Sequence, residues 1–142
     1  MQTLIAARVL LADGGRDTSE LLRQLLMREG AYVLNFSNGA PLRRALDVMP
    51  PPEIVLLSLS LPGDDSLDLL RSLRASAAWR QVPVIAIDAA GDGKAIARAF
   101  DMGADDFVSK PISPAELLLR VKKRLAERAA PNMGGGVDKV NF

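Results

Sequence analysis

The central apolar run of the chain, EIVLLSLSLPGDD at residues 53–65, predicts a buried strand that ends in a turn. Residues 54–57 are all apolar, as expected of a strand that is covered on both faces of a parallel sheet. Ser58 lies where that strand would reach its carboxyl end, and the ligand crevices of open α/β sheets lie at such ends. The chemistry of position 58 is therefore the first question that the sequence raises.

Strands and helices are predicted to alternate on either side of this run. Short apolar stretches predict the strands, and apolar residues at helical spacing predict the helices between them. The predicted strands cover residues 8–12, 31–36, 54–58, 83–87 and 105–109. The predicted helices begin at Asp17, Asn38, Asp65 or Ser66, Ala95 and Ser113.

Two of these helix starts have the pattern of a capping box, in which the first side chain and the one three residues later each bond the other's backbone. Asp17 and Glu20 form this pattern at the first helix, and Ser113 and Glu116 form it at the last helix. We therefore expect Asp17 to be the N-cap of the first helix.

Five alternations of strand and helix indicate an α/β domain, in which helices cover both faces of a parallel sheet. Residues 1–129 are predicted to form this single domain. Within it, residues 91–93 predict a flexible connection. Residues 130–142 show no periodicity and contain three adjacent glycines, so they predict a disordered tail or a linker.

Composition restricts the chemistry that this domain can perform. Among 142 residues there is no cysteine and no histidine, which removes thiol nucleophiles, the usual general base and the commonest metal ligands. A formal charge of +1 gives no electrostatic reason to expect binding to nucleic acid or a membrane surface. No apolar stretch reaches about 18 residues, and no signal peptide is evident. We therefore predict a cytoplasmic protein, in which any active site would have to use Asp, Glu, Lys, Ser or an oxygen-bound cation.

Polar side chains follow four of the five predicted strands. Asp13, Ser58, Asp88 and Lys110 each lie at or just beyond the carboxyl end of a strand. Because these ends meet at one edge of a doubly wound sheet, the four side chains are predicted to form one compact, nearly neutral cluster. The ammonium group of Lys110 can donate to several oxygens there.

The segments that carry these residues resemble the receiver domain of bacterial two-component response regulators. They are, in chain order, RVLLAD, PEIVLLSLSLPGDDSLDLLRSLR, VPVIAI and GADDFVSKPISPAELLLRVKK, and the likeness runs from about Arg8 to Arg128. The resemblance implies a flavodoxin-like (βα)5 fold with strand order 2-1-3-4-5. It also implies a site in which an Asp at the end of the third strand accepts a phosphoryl group, and in which that Asp and an acidic pair after the first strand hold Mg²⁺.

At three positions this chain departs from what the resemblance implies. Ser58 stands in the place of the phosphoacceptor Asp, and the acidic pair is reduced to Asp13 because Gly14 takes the second place. Asp88 replaces the Ser or Thr that senses the phosphoryl group, and we expect it to pair with Lys110 or to accept a hydrogen bond from Ser58. Lys110-Pro111 is kept, with the cis peptide bond that the family has there. These changes predict a pseudo-receiver that binds no metal, with Asp13 as the remaining candidate ligand.

Other uses of the same residues stay open. Ser58 and Lys110 can be combined as a Ser-Lys nucleophile pair. Asp64 or Asp65 can be considered as a phosphoacceptor in place of position 58, and the strand-end acids can be considered as a cation site. The sequence GDGKA at residues 91–95 has the glycines and lysine of a phosphate-binding loop, but not its upstream Gly or its final Ser or Thr, so we discard it.

A second set of residues predicts a protein interface. In the winged-helix class of response regulators, the positions that match Arg98, Asp106, Glu116 and Arg120 form salt bridges across a symmetric dimer made by the fourth helix, fifth strand and fifth helix. The resemblance therefore implies that Arg98 faces Glu116, and Asp106 faces Arg120, across a two-fold axis. Phe107 matches the aromatic switch residue of the family.

Together these observations predict a receiver-like signalling module that acts by protein–protein contact without phosphorylation, is not an enzyme and needs no cofactor. Its partners would be a second copy or signalling proteins such as kinases and effectors. An alternative is that the chain is the regulatory part of a longer DNA-binding protein, whose output domain follows Phe142. This domain itself is predicted not to contact nucleic acid or a membrane.

Overall fold

The computed structural model describes residues 3–89 and 93–129. Strands and helices alternate along the chain, as the apolar pattern predicts. The strands are β1 (Arg8–Ala12), β2 (Tyr32–Phe36), β3 (Ile54–Ser58), β4 (Val84–Ala89) and β5 (Asp106–Lys110). The helices are α1 (Arg16–Arg28), α2 (Gly39–Val48), α3 (Ser66–Ala75), α4 (Gly93–Asp101) and α5 (Pro114–Ala129).

The five strands form one parallel sheet in the order β2-β1-β3-β4-β5, which confirms the flavodoxin-like topology. All residues of β3 are buried, as expected of a central strand that helices cover on both faces. The less apolar β5 lies at one edge of the sheet, as predicted, and β2 lies at the other edge.

Two apolar layers enclose the sheet. On one face, leucines of α2 and α3 pack with Ala99 of α4 and with Trp79 against Leu10, Val55 and Val84 of the strands. On the other face, α1 and α5 pack against the strand residues of opposite parity, such as Leu11, Leu56 and Ile87. Because successive residues of a strand point to opposite faces, each buried strand supplies both layers.

The predicted cap of α1 is wrong. The helix begins at Arg16 with Gly15 as its N-cap, and Asp17 lies inside the first turn. There its negative charge interacts favourably with the positive end of the helix dipole, but its side chain does not cap the helix by a hydrogen bond. Glu20 does not reach back to the start of the helix, because its carboxylate accepts hydrogen bonds from Arg23 and Gln24.

Other helix starts agree with the sequence. The side chain of Asn38 accepts a hydrogen bond from Ala40 N, and that of Asp65 accepts from Leu67 N and Asp68 N. Ser113 Oγ accepts from Glu116 N at 3.3 Å, which is one half of the predicted capping box. These three side chains satisfy backbone donors that a helix start leaves without partners.

Several boundaries differ by one or two residues. Strand β2 begins at Tyr32 because the N–H of Ala31 still donates to Leu26 O at the end of α1. Strand β4 continues through Asp88 to Ala89, because its ladder with β5 extends to the pair Ala89 and Lys110. Helix α4 begins two residues before the predicted start, at Gly93. The rest of the predicted flexible connection and the predicted tail lie outside the described residues.

Two features concern the ends of elements. The peptide bond between Lys110 and Pro111 is cis, as the resemblance implied. Near the end of α5, Arg128 Nη1 donates to Pro52 O at 3.2 Å and to Glu53 O at 2.8 Å, so that helix ends beside the start of β3. None of the helices in the described part of the chain is long and apolar enough to cross a membrane.

Candidate functional site at the carboxyl end of the sheet

Parallel pairing brings the predicted strand-end residues to one edge of the sheet. Ala12 is level with Leu57, so Asp13 and Ser58 follow at the same height on β1 and β3. On the other side of β3, Ser58 is level with Ile87, and Asp88 and Ala89 are level with Ser109 and Lys110. The four predicted side chains therefore belong to one end of the molecule.

Asp13 and Lys110 are in contact there. Lys110 Nζ lies 3.3 Å from Asp13 Oδ1, and the residue Asp13 is only 2% exposed. The backbone of Asp13 is held at both polar groups, since its N–H donates to Phe36 O and its carbonyl accepts from Ser19 Oγ. Pairing with an ammonium group offsets the cost of burying this carboxylate. Its second oxygen, Oδ2, has no hydrogen-bond partner within the described chain.

Ser58 is fully buried and is bonded within its own turn. Its Oγ lies 3.2 Å from Ser60 Oγ and accepts from Ser60 N at 3.3 Å, while its carbonyl accepts from Ser66 Oγ. The contacts expected of Asp88, with Lys110 or Ser58, are not formed: Lys110 bonds Asp13, Ser58 bonds Ser60, and Asp88 is half-buried at the end of β4. The expectation failed because the ammonium group reaches the more deeply buried carboxylate.

Gly14 is closed in by a neighbouring loop. A Cβ atom at this position would lie 2.5 Å from Pro62 Cδ and 2.9 Å from Pro62 Cγ. Sequence reasoning missed Pro62 as a neighbour, because the contact joins two loops that are far apart in the chain. The result is that no side chain fits at position 14 unless the Pro62 loop moves.

Asp64 and Asp65, which follow that loop, both have bonded carboxylates. Asp65 is the N-cap of α3, and Asp64 pairs with Arg43 of α2 at 2.6 Å. Arg43 also donates to Asp68 at 2.8 Å and to Ser72 at 2.9 Å. The hydrogen bond from Arg43 holds the pKa of the Asp64 carboxyl below its usual range, and bonds from Arg71 and Arg43 do the same for Asp68. Sequence reasoning did not identify Arg43.

The predicted interface residues make contacts within the chain. Arg120 Nη1 lies 2.6 Å from Asp106 Oδ1 and its Nη2 lies 3.1 Å from Glu116 Oε2, and the hydrogen bond with Glu116 raises the pKa of Arg120. Arg120, which was expected to meet Asp106 across a two-fold axis, is therefore its partner within the same chain. Asp106 is only 7% exposed. Arg98 is exposed on α4, and the half-buried Phe107 packs against the core.

Two surface cavities flank the sheet at its opposite ends. A groove of about 520 Å³ opens beside Asp13, between the start of α1 and the end of β2, and Asp17 and Asn35 line it. A larger cavity of about 710 Å³ lies at the other end of the sheet, between the residues that precede β1 and α5, and contains none of the predicted site residues. No group of three or more acidic side chains able to hold a metal occurs within residues 3–89 and 93–129.

Comparison with known proteins identifies the family to which the chain is similar. Residues 9–122 match the response regulator receiver domain. The transcriptional regulatory protein GltR of Pseudomonas aeruginosa is 34% identical over 128 residues, which cover 90% of this chain and 52% of GltR. The DNA-binding response regulator MtrA of Mycolicibacterium smegmatis is 35% identical over 118 residues, which cover 83% of this chain and 50% of MtrA. The chain therefore spans about half the length of these curated relatives.

Solved structures share the fold. The signal receiver domain of a signal transduction histidine kinase from Syntrophus aciditrophicus has a TM-score of 0.80 at 26% identity, covering 90% of this chain and 96% of that one. NtrX from Brucella abortus, solved in complex with ADP, has a TM-score of 0.78 at 26% identity, covering 87% of this chain and 28% of NtrX.

Proposed function

Because this chain belongs to the response regulator receiver domain family, we propose that it is a receiver that signals by protein contact and is not switched by phosphorylation at the end of β3. The observation that carries this proposal is the buried Ser58, whose hydroxyl bonds Ser60. In this reading the chain is a signalling module and not an enzyme.

The chemistry of Ser58 supports the proposal. A seryl hydroxyl needs a base before it becomes a good nucleophile, and this chain has no histidine. The described bonds of Ser58 go to Ser60 and Ser66, so no carboxylate is in place to remove its proton. A phosphoseryl ester would also lack the lability of an acyl phosphate, which a reversible switch requires.

The metal ligands expected of the family are also reduced. Mg²⁺ takes six oxygens in octahedral geometry and is usually held by carboxylates and waters. Among the described residues, Asp13 has one carboxylate oxygen without a hydrogen-bond partner. Gly14 has no side-chain oxygen to add, and Pro62 crowds its position. A single carboxylate that is paired with Lys110 is a poor Mg²⁺ site, which supports a receiver without the usual cofactor ion.

Phosphorylation at Asp64 or Asp65 remains the alternative for the same end of the molecule. Both carboxylates already have structural roles, one in the pair with Arg43 and one as the cap of α3. An incoming phosphoryl group would have to displace these bonds, which favours the reading without an acceptor.

An intact-mass experiment tests the proposal. The protein is incubated with acetyl phosphate and Mg²⁺, alongside the Asp64→Asn and Ser58→Asp variants. We expect no gain of a phosphoryl group by the wild type. A phosphorylated species that is lost on hydroxylamine treatment and in Asp64→Asn would replace the proposal with the alternative. A hydroxylamine-stable species that is absent from Ser58→Asp would identify Ser58. If Ser58→Asp gains a phosphoryl group and the wild type does not, then the phosphodonor is active and the residue at position 58 is what prevents phosphorylation.

A second proposed feature concerns the whole protein. The chain covers about half of GltR and MtrA, which are named as a transcriptional regulatory protein and a DNA-binding response regulator. On that likeness, this receiver is the regulatory part of a longer regulator whose output region binds DNA. The coding sequence beyond Phe142 tests this: a continuous frame that encodes a DNA-binding fold supports it, and a stop codon contradicts it.

A further inference from the structure

The free side of the edge strand β2 has backbone groups without partners in the sheet. Within residues 3–89 and 93–129, strand β2 pairs only with β1, through the register from Tyr32 level with Arg8 to Phe36 level with Ala12. Tyr32 N donates to Ala7 O at 2.8 Å, and Phe36 O accepts from Asp13 N at 3.0 Å. Because backbone groups of a strand alternate in direction, residues 32, 34 and 36 bond β1, and the N–H and C=O groups of Val33 and Asn35 point to the free edge.

This edge lacks charges. Residues 30–42 contain no Asp, Glu, Lys or Arg, in a chain of which a quarter of the residues are charged. Natural edge strands are commonly protected from pairing by charges, prolines or bulges, and β2 has none of these. The nearest charge on β1 is Arg8, and its guanidinium group is directed to Glu53 and to the carbonyl of Pro51.

Large apolar side chains are exposed beside the same edge. Tyr32 is 68% exposed and Leu34 is 45% exposed, and both lie on the face of the sheet that α2 covers. An edge strand with free backbone groups and exposed apolar side chains is suited to pair with another strand.

We propose that β2 pairs with β2 of a second copy of this chain, antiparallel and with Leu34 on the two-fold axis. In this register Val33 of each copy exchanges backbone hydrogen bonds with Asn35 of the other, so the free groups satisfy one another. Leu34 then meets its own symmetry mate, and Tyr32 lies opposite Phe36. Aromatic pairs of this kind stabilise antiparallel strands.

A second copy fits this edge better than a charged partner because the edge is self-complementary. An isologous contact places the same residues against each other, so any charge on the edge would repel itself. The uncharged run of residues 30–42 avoids that repulsion. The contact lies at the opposite edge of the sheet from β5 and α4, so it is independent of the dimer face that the sequence predicts.

Disulfide trapping tests the proposed register, and the chain suits it because it has no cysteine of its own. Two residues opposite each other at a position that does not form backbone hydrogen bonds have Cα atoms about 4.5 Å apart, within the range that a disulfide spans. Leu34→Cys should therefore give covalent dimers under mild oxidation. Tyr32→Cys is the matched control, because its symmetry mate would be about 13 Å away, four residues along the strands.

We expect Leu34→Cys to form disulfide dimers at least about tenfold faster than Tyr32→Cys, although Tyr32 is the more exposed residue. Random collision would favour the more exposed cysteine. Equal rates, or faster dimer formation by Tyr32→Cys, would therefore overturn the proposal. The Arg98→Glu substitution added to each variant should leave the ratio of rates unchanged.

Charge substitution provides a second test of the same contact. Leu34→Lys and Leu34→Glu should each lower self-association through β2 at least about tenfold, since like charges then meet on the axis. An equimolar mixture of the two variants should restore it. Sedimentation velocity measures both effects, with Ile5→Lys, at a 69% exposed position outside the strands, as control. Unchanged association of the single variants, or no recovery on mixing, would contradict the proposal.

Discussion

At the scale of single residues, two contacts shape the carboxyl end of the sheet: Lys110 bonds Asp13, and Pro62 crowds Gly14. Asp13, Ser58 and Lys110 were predictable as neighbours because each follows an apolar strand, and the ends of parallel strands meet. The contact of Gly14 with Pro62 was not predictable, because the approach of two loops depends on the packing of the helices that follow them. The same limit applies to the choice of Asp13, and not Asp88, as the partner of Lys110.

Substitution of the two adjacent glycines should separate crowding from local flexibility. Gly14→Ala places a Cβ 2.5 Å from Pro62 Cδ, whereas the nearest atom to a Cβ at Gly15 is 3.6 Å away. We expect Gly14→Ala to lower the free energy of unfolding by about 1–3 kcal/mol, the usual cost of overpacking. Gly15→Ala should have little effect. Urea denaturation measures both.

The rescue variant identifies the cause. In the double variant Gly14→Ala, Pro62→Ala the ring atoms that crowd position 14 are gone, so most of the lost stability should return relative to Pro62→Ala alone. If Gly14→Ala is as stable as the wild type, or if the loss persists without the proline ring, the contact between the loops is not the reason that glycine is needed.

At the scale of elements, the alternation of strands and helices was predictable, and most predicted boundaries lie within about two residues of the observed ones. Caps with a side-chain bond, such as Asn38 and Asp65, could be identified because their chemistry is local. The cap of α1 could not, since Gly15 caps it without a side chain and leaves Asp17 in the first turn. The ion pairs of Arg43 on α2 with Asp64 and Asp68 were also missed. Arg43 is more than 20 positions from each of them in the sequence, and the spacing of apolar residues does not show which charged side chains will meet.

The Arg43 cluster should make stability depend on pH. Bonds from Arg43 lower the pKa of Asp64 and contribute to lowering that of Asp68 in the folded protein. A carboxyl whose pKa is lowered by folding stabilises the protein above its unfolded pKa, about 3.9, and the effect is lost as pH falls through the folded value. Arg43→Met should therefore be less stable than the wild type at pH 7, and the difference should shrink in acid.

Arg44→Met is the matched control, because Arg44 is the exposed neighbour of Arg43 and is not bonded to Asp64 or Asp68. Urea midpoints measured between about pH 7 and pH 2.5 provide the comparison. A difference between Arg43→Met and the wild type that is equally large at both ends of this range would show that the carboxylates of the cluster do not carry the effect.

At the scale of the whole molecule, the strand order followed from the family resemblance and the two-sided sheet followed from the alternation alone. The sequence did not reveal that Asp106 and Arg120, expected to meet across a two-fold axis, bond each other within the chain. The family resemblance predicts where Asp106 and Arg120 lie in the fold. It does not predict which of the charged side chains within reach each of them pairs with. The pair of Arg98 with Glu116 of a second copy stays a prediction.

Reversal of one exposed charge tests that predicted dimer of α4, β5 and α5. Arg98→Glu would place a negative charge against Glu116 of the partner, so we expect association through this face to weaken by about tenfold or more. Arg44→Glu makes the same charge change on α2, away from the face, and should have no effect. Light scattering over a range of concentrations measures both. The comparison is repeated in the Leu34→Lys background, which removes pairing through β2. Equal association with and without Arg98→Glu in that background would exclude the interface.

The bonds of Arg128 to Pro52 and Glu53 have a consequence for how a signal could pass through the domain. They fix the end of α5 beside the two residues that precede β3, whereas Ser58 is the last residue of that strand. Ser58 and the end of α5 are therefore separated by the length of β3, about 17 Å at 3.3 Å per residue. A partner bound at the carboxyl end of the sheet would therefore not touch the end of α5, and any effect of one on the other would have to be carried by the packed sheet and α5 between them.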